Sequence, residues 1–233
     1  MNVNEIIGNN IKKYRTAYQM TLKDLSEKLH KSISTVSKYE KGEIALDLPT
    51  FLEVTQIFQI SPSILLSGAW TSPCDTSMKS DASERLYMYT YSGPEKEIIQ
   101  SLIEQFPSDY AESSWQVHMY NDIKDFKKPG ECNGFYSGTY SKDGFIGTYI
   151  LHNQVSSSEH VMISCVRNLV NPKQQIGLIS GLSNYTMLPV TFKTVLSTVE
   201  ITDRQLLTDL LLFSKEDFKT MKHYHCLSVQ NLR

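Results

Sequence analysis

The stretch TLKDLSEKLHKSISTVSKYEKG (21–42) contains two short helix patterns separated by only two residues. Thr21 followed three positions later by Asp24 is typical of a helix N-cap, although a strict capping box uses Glu or Gln. Ser32 opens the second helix in the same way, and Gly42 stands where a helix commonly ends. A connection this short predicts a sharp helix-turn-helix.

The sequence on both sides of this stretch predicts three more helices. Ile7, Ile11, Tyr14 and Tyr18 recur at helical spacing, which indicates an amphipathic first helix. Further downstream, prolines at positions 49 and 62 suit the first turn of two short helices. Residues 1–66 are therefore predicted to form an all-α, five-helix headpiece.

Charge divides the chain unevenly. The whole sequence carries a net charge of −2, yet residues 12–41 hold eight basic and three acidic side chains, a net of +5. Residues 67–233 carry a net charge of −3. A local basic patch of this kind indicates a polyanionic partner, which the whole-chain charge conceals.

Residues 7–66 resemble the Cro/repressor-type helix-turn-helix family, also called the xenobiotic-response-element family. The strings that carry the resemblance are IGNNIKKYR, MTLKDLSEKL and SISTVSKYEKGEIALDLPTFLEVTQIFQISPSILL. They cover about a quarter of the chain. The resemblance implies that residues 33–40 are a recognition helix that enters the major groove of double-stranded operator DNA.

The resemblance also implies roles for individual residues. Base edges are expected to be contacted by Ile33, Ser34 and Lys38, with Ser37 on the same outward face. Phosphate contacts are expected from Lys23, Lys31, Ser32, Lys41 and Gly42. Arg15 and Glu40 stand where the family places a buried ion pair between the first helix and the recognition helix.

Three positions depart from the family pattern. His30 replaces a frequent turn glycine, so the sequence allows either backbone strain or a shifted turn. Leu22 replaces a glutamine that often touches phosphate. Ile33 replaces a polar base reader, and it can either contact a thymine methyl group or be half-buried.

The rest of the chain has strand character. Residues 67–85 are predicted to be a linker, because they are rich in Ser, Thr, Asp and Pro. The larger domain, 86–233, is predicted to be β-rich, with a curled or barrel-like antiparallel meander, so the fold class is α+β. Six segments are predicted strands: 87–91, 134–141, 144–152, 160–168, 175–183 and 187–197.

Other segments of this domain are expected to be helical or are ambiguous. The segment EKEIIQSLIEQF (95–106) has apolar residues at helical spacing, and RQLLTDLLLF (204–213) does too. Another helix is predicted to start at Ser214. Residues 115–126 fit either a helix or a strand, and HCLSVQN (225–231) is a candidate final strand.

Several chemistries lack their sequence signatures. The chain has no Ala-Gly or Cys-Gly cleavage bond of a self-cleaving repressor, no HExxH and no GxxxxGK[ST]. His223 and His225 alternate as metal ligands on a strand would, but the Glu and Gly of a cupin-like site do not follow. We therefore expect no enzyme activity, no cofactor and no metal site.

Four aromatic residues are candidates for a small-molecule pocket in the β-rich domain. Trp115, Tyr136, Tyr140 and Tyr149 combine apolar rings with polar tips, which suits a concave site. The alternative is that they are core residues and cross-strand pairs, and we favour that alternative.

The preferred hypothesis is a transcription regulator, more a repressor than an activator. It is expected to act as a homodimer or higher oligomer, because one headpiece reads only one half-site. The larger domain would supply oligomerisation and ligand sensing. The sequence lacks an 18-residue apolar run and a secretory signal, so a cytoplasmic protein without membrane contact is expected. The alternatives are an antitoxin-like protein that binds a partner protein and autoregulates, or an enzymatic C-terminal domain.

Overall fold

The computed structural model describes residues 2–66, 84–107, 114–156, 158–167, 171–182 and 187–228. The chain forms two compact units, the first helical and the second a closed β-barrel with two helices. The α+β prediction and its barrel-like meander are therefore confirmed. The predicted linker 67–85 lies outside the described residues except for residues 84 and 85, which begin the first strand.

The first unit contains the five predicted helices. They are α1 (Val3–Ala17), α2 (Leu22–Lys28), α3 (Ile33–Glu40), α4 (Leu48–Ile57) and α5 (Pro62–Leu65). The predicted cap at Thr21 is confirmed and forms a full capping box, because Asp24 satisfies both reciprocal hydrogen bonds. Asp47 caps α4 through the Thr50 amide, and the same bond lowers the pKa of the Asp47 carboxyl.

A close crossing of α1 and α3 organises the helical core. The side chains of Ile11 and Tyr14 in α1 and of Val36 in α3 are each at most 1% exposed. Gly8 makes the approach feasible, because a Cβ there would lie 2.3 Å from the backbone oxygen of Tyr39. Any side chain at position 8 would therefore push α3 away from α1.

The second unit is an eight-stranded antiparallel barrel in which each strand pairs with the next along the chain. The strands are β1 (Glu84–Ser92), β2 (Glu97–Pro107), β3 (Ser114–Ile123), β4 (Cys132–Asp143), β5 (Ile146–Asn153), β6 (His160–Arg167), β7 (Gln174–Leu182) and β8 (Pro189–Ser197). The barrel closes where Tyr87, Met88 and Tyr89 pair with Ser197, Leu196 and Val195. The six segments predicted as strands are thus confirmed as elements, with bounds shifted by a few residues.

Alternation along the strands separates an interior from an exterior. Met88, Ile103 and Leu196 face the interior core, which also contains Tyr140 and Tyr149. An eight-stranded barrel is just wide enough for its side chains to fill or to hold one small ligand. The barrel can therefore bind a small ligand only if its side chains leave part of the interior empty.

Two helices follow the barrel, α6 (Arg204–Leu211) and α7 (Lys215–Tyr224). Leu207 and Leu211 of α6 pack on the outward side chains of Tyr89 and Val195. The Tyr89 hydroxyl accepts a hydrogen bond from the Ile201 amide at 2.9 Å, and burial raises the pKa of Tyr89 to about 12. This bond holds the segment between β8 and α6 against the strand that closes the barrel.

Two predictions for this unit are wrong. The segment 95–106 is not a helix, since most of it forms β2. Ile99 and Ile103 face the interior, whereas Ile98 and Leu102 face outward, and all four are at least partly buried. Apolar residues on both faces of a covered strand give the same spacing as a helix.

The candidate final strand at 225–231 is also absent from its described part, residues 225–228. His223 lies inside α7, and His225 ends that helix in the left-handed conformation with φ of +53°. The alternation of His223 and His225 therefore does not place them on one strand face. Residues 115–123 of the ambiguous segment lie in β3.

Candidate nucleic-acid interface

The outward face of α3 is fixed by how the helix packs. Val36 and Tyr39 point into the core and are 0% and 6% exposed. Ser34 and Lys38, four residues apart, share the opposite side and are exposed. Ile33, at 48% exposure, lies in the neighbouring row with Ser37, which is partly buried. The four predicted base readers thus share the side of α3 that is not used by the core.

The tight turn before α3 keeps the usual geometry without glycine. His30 adopts φ of +50°, and the Lys31 amide donates to the Ser26 carbonyl at 3.0 Å. This is the six-residue closure of a Schellman motif, and α3 ends with the same closure at Gly42. The substitution of His for Gly therefore leaves the turn in register, with a left-handed residue that costs some free energy.

The first turn of α3 presents hydroxyl groups and free amides at one end. Ser32 is the N-cap, and its Oγ accepts a hydrogen bond from the Thr35 amide at 3.1 Å. The same Oγ lies 2.8 Å from the hydroxyls of Ser34 and Thr35. A helix N-terminus with hydroxyls around it favours an anion such as a phosphate group.

The lysines predicted to contact phosphate are spread along the helix-turn-helix, with Lys23 in α2, Lys31 before α3 and Lys41 after it. Lys23, Lys31 and Lys41 are all exposed. Lys23 lies 3.8 Å from Glu27, and Lys41 lies 3.8 Å from Glu43. Such exposed pairs contribute little and are exchanged easily for another anion. Gly42 is partly buried at the end of α3, with φ of +70°.

Arg15 and Glu40 tie α1 to α3. The guanidinium Nε lies 2.5 Å from Glu40 Oε1, and Nη2 lies 3.0 Å from Oε2, so the contact is bidentate. Nη1 also donates to the Met20 carbonyl at 2.8 Å. The two side chains are 11% and 5% exposed, which makes removal of either one costly. The pair therefore has an architectural role and does not face a ligand.

The four aromatic pocket candidates separate into different environments. Tyr140 and Tyr149 are cross-strand neighbours whose rings lie 4.5 Å apart in the filled core. Burial raises the pKa of Tyr149 well above its ordinary value, and Gln105 donates to its hydroxyl at 2.6 Å. Trp115 is partly buried and packs against the same core. These three residues are part of the barrel core.

Tyr136 is different, because it lines a cavity of about 390 Å³ in the barrel. Its hydroxyl donates to Glu159 Oε1 at 2.5 Å, and burial together with this carboxylate raises the pKa of Tyr136. Sequence reasoning missed Glu159, because a lone acidic residue in the polar segment between β5 and β6 gives no signal. It also missed Ile99, which lines the cavity from a segment predicted to be helical.

Two other searches concern only the described part of the chain. No cluster of three or more His, Cys, Asp or Glu side chains there has an arrangement that could hold a metal ion. In the same residues, no helix has both the length and the apolar character needed to cross a membrane.

Comparison with known proteins supports the assignment of the first unit. Residues 11–65 match the family model described as Helix-turn-helix, so this segment is a DNA-binding helix-turn-helix domain of the predicted type. A search of solved structures finds similarity to the crystal structure of the clp gene regulator ClgR from C. glutamicum. That match has 22% identity and a TM-score of 0.28, and it covers 30% of this chain and 90% of that chain. A comparison with curated proteins finds no match.

Proposed function

We propose that this chain is a sequence-specific transcription regulator that represses by occupying operator DNA through α3. The observation that carries the proposal is the exposed row of Ser34 and Lys38 on the helix whose other side is locked into the core. An α-helix with its side chains is about 10–12 Å in diameter, which fits the width of the major groove, about 12 Å.

Each outward side chain of α3 has a chemistry that suits a base edge. The Lys38 ammonium can donate to the O6 and N7 acceptors of guanine, and the Ser34 hydroxyl can donate or accept. Ile33 has exposed methyl groups, which suit the methyl group of thymine. Ser37 is less exposed and contributes at the edge of the contact.

The lysines and the start of α3 would fix the register on the phosphate backbone. Lys31 and Ser32 flank the N-terminus of α3, Lys41 and Gly42 lie at its other end, and Lys23 lies early in α2. Contacts at both ends of the recognition helix would hold it across the groove. These contacts carry affinity and not sequence preference.

A second copy of the chain would read the other half-site. Support comes from the outer face of β5 and β6, where Ile146, Ile150 and Met162 are 54%, 51% and 49% exposed. Thr148 and Ser164 pair between them and carry no charge, and the His152–His160 pair lies at the edge of this patch. In a two-fold interface, the same surface patch of both copies meets itself. An uncharged apolar patch suits that arrangement, because no like charges are brought together.

The DNA contacts are tested by fluorescence anisotropy on a duplex selected from a random library with the native chain. Lys38→Ala and Ser34→Ala should each reduce the preference for the selected duplex over a scrambled one by about 1–3 kcal/mol. Lys41→Ala should weaken both duplexes equally and reduce the salt slope by about 0.9. Lys219→Ala, which removes an exposed charge from α7, is the matched control. If all three variants bind like the control, the contact assignment is wrong.

Repression and assembly need their own measurements. A reporter that carries the selected duplex in its promoter should be less active when the native chain is present, and should recover with Lys38→Ala. Light scattering should show a dimer or a larger oligomer that Ile150→Lys shifts towards monomer. A native chain that remains monomeric would refute self-association and would favour a different protein as the partner of this face.

A further inference from the structure

The interior of the barrel is filled in one half and open in the other. In the filled half, Tyr140, Tyr149 and Cys165 are at most 8% exposed. In the other half, Ile179 and Val190 also occupy interior positions but are only partly buried, and Phe192 is 39% exposed. The space between them is the cavity of about 390 Å³. That volume lies in the range of small-molecule sites.

The wall of the cavity is apolar on several strands. Ile99 of β2, Met119 of β3, Val161 of β6 and Phe192 of β8 all line it. Apolar side chains that stay partly exposed to water inside a barrel do not gain the full free energy of burial. A ligand with an apolar body would cover them and supply the rest of that free energy. The wall therefore suits a hydrocarbon body.

A carboxylate is fixed beside this wall. Glu159 Oε1 accepts a hydrogen bond from Tyr136 at 2.5 Å, and Oε2 accepts one from Asn153 Nδ2 at 2.8 Å. Both donors are neutral, so they orient the carboxylate without cancelling its charge. Each carboxylate oxygen can accept another hydrogen bond, which leaves acceptor capacity on the group.

The charge of the cavity is of one sign. Among its described lining residues, Glu159, Glu95 and Asp122 are acidic and none is Lys, Arg or His. A carboxylate next to a low-dielectric wall attracts a cation more strongly than it would in open water. An anionic ligand of the same shape would be repelled.

We propose that the open half of the barrel binds a small amphipathic organic cation, with its apolar body among Ile99, Val161 and Phe192 and its protonated amine on Glu159. Such a ligand would complete the interior on one side and pair the carboxylate on the other. Its role as an effector rests on the proposed function, whereas binding itself does not.

The test is calorimetric titration of the full chain with three ten-carbon probes, with the two ionic probes below their critical micelle concentrations and the alcohol below its solubility limit. Decylammonium should bind about tenfold more tightly than decan-1-ol, and decanoate should bind most weakly, because only the head group differs. Equal affinities for the three probes would overturn the cation preference. No binding of any of them would overturn the site.

Variants locate the binding. Glu159→Gln should bring decylammonium to within about threefold of decan-1-ol, since it removes one charge and keeps the shape. Glu200→Gln, an exposed residue outside the cavity lining, is the matched control and should keep the preference. Val190→Trp should weaken all three probes by filling the cavity. The comparison of probes on the native chain still decides the question if a variant does not fold.

The titrations contain no DNA, so their failure is distinct from a failure of the proposed function. A chain that binds DNA but discriminates none of the probes refutes only the ligand class. A chain that prefers decylammonium but binds no selected duplex refutes the effector role and keeps the site.

Discussion

The helical unit and the barrel use their inward residues differently. In α3 the inward residues Val36 and Tyr39 are buried against other helices, so what remains for binding is the outer surface. In the barrel, interior residues such as Ile179 and Val190 keep some exposure. A unit with a full interior offers its surface to a ligand, whereas a barrel with an unfilled half also offers its inside.

The contacts that hold the two units together also differ in the sequence separation of the residues they join. Arg15 and Glu40 join helices that are 25 residues apart, whereas the hydrogen bond from Thr194 Oγ1 to the Tyr89 carbonyl joins residues 105 apart. Besides its apolar core, the helical unit is thus held by short-range caps and the buried Arg15–Glu40 pair, whereas the barrel depends on contacts across its closure. Substitutions of these different contacts test that contrast.

The largest effect is expected at the ion pair of the helical unit. Glu40→Ala leaves the Arg15 guanidinium nearly buried without its carboxylate, and it should destabilise the unit by about 3–5 kcal/mol. Hydrogen exchange of the α1 and α3 amides measures this unit separately from the barrel. Glu27→Ala removes an exposed pair and should cost less than about 1 kcal/mol. Equal protection in the two variants would show that the pair is dispensable.

The filled half of the barrel should respond to excess volume. A Cβ at Gly147 would lie 2.8 Å from the Tyr140 ring and 3.0 Å from Cys165 Sγ. Tyr140 cannot yield easily because it packs against Tyr149, so Gly147→Val should cost about 3 kcal/mol. Gly93→Val is the control, because a Cβ there meets no atom within 4 Å. Denaturant unfolding, monitored by amide exchange of the strands, gives the unfolding midpoint of each variant. Similar midpoints for the two variants would contradict tight packing around Gly147.

A smaller and pH-dependent effect is expected where α7 meets the barrel. Lys193 Nζ lies 2.8 Å from Asp217 Oδ2, and both side chains are 10% exposed. Desolvation raises the pKa of Asp217, but the hydrogen bonds from Lys193 and Ser214 outweigh it and leave the pKa lowered. The stabilisation is therefore present above the unfolded pKa of about 3.9 and is lost as the pH falls through the lower folded value.

Asp217→Asn should remove about 2 kcal/mol at neutral pH and should flatten this acid dependence. Amide exchange of α7, measured from pH 7 down to pH 3, reports both changes. Asp209→Asn on exposed α6 surface should retain the native profile. A native-like acid profile in Asp217→Asn would assign the dependence to another carboxyl group.

The smallest effect is expected at the cap of the recognition helix. Ser32→Ala removes the acceptor of the Thr35 amide and should cost about 1 kcal/mol, seen as faster exchange in the first turn of α3. Ser34→Ala leaves that cap bond in place and serves as the comparison. If Ser34→Ala has the larger effect on exchange, the hydroxyl cluster and not the cap bond stabilises this turn.

Local signals explain how much of the helical unit could be predicted. Thr21 and Ser32 each cap a helix at the predicted residue, because a cap depends on atoms within three or four positions. The exposure of Ser34 and Lys38 followed from helical spacing and the burial of Val36. Residue type did not reveal the positive φ of His30, nor that of Gln19 and Gln59, which end α1 and α4 in the same backbone region.

The barrel was predicted less well, and the errors have a common cause. β2 resembled a helix because both of its faces are covered, which a single sequence does not reveal. Tyr136, Tyr140 and Tyr149 were grouped as one set of pocket candidates, but only Tyr136 lines the cavity. Glu159 could not be recognised, since its hydrogen bonds come from other strands.

The sequence by itself determined the helix-turn-helix, its outward residues and most of the strands, because caps, periodicity and turns are short-range properties. Tertiary structure alone decided the closure of β1 on β8, the filling of only half of the barrel and the placement of Glu159 at the cavity. These features depend on contacts between residues far apart in the chain, and no local pattern encodes the volume that such residues leave between them.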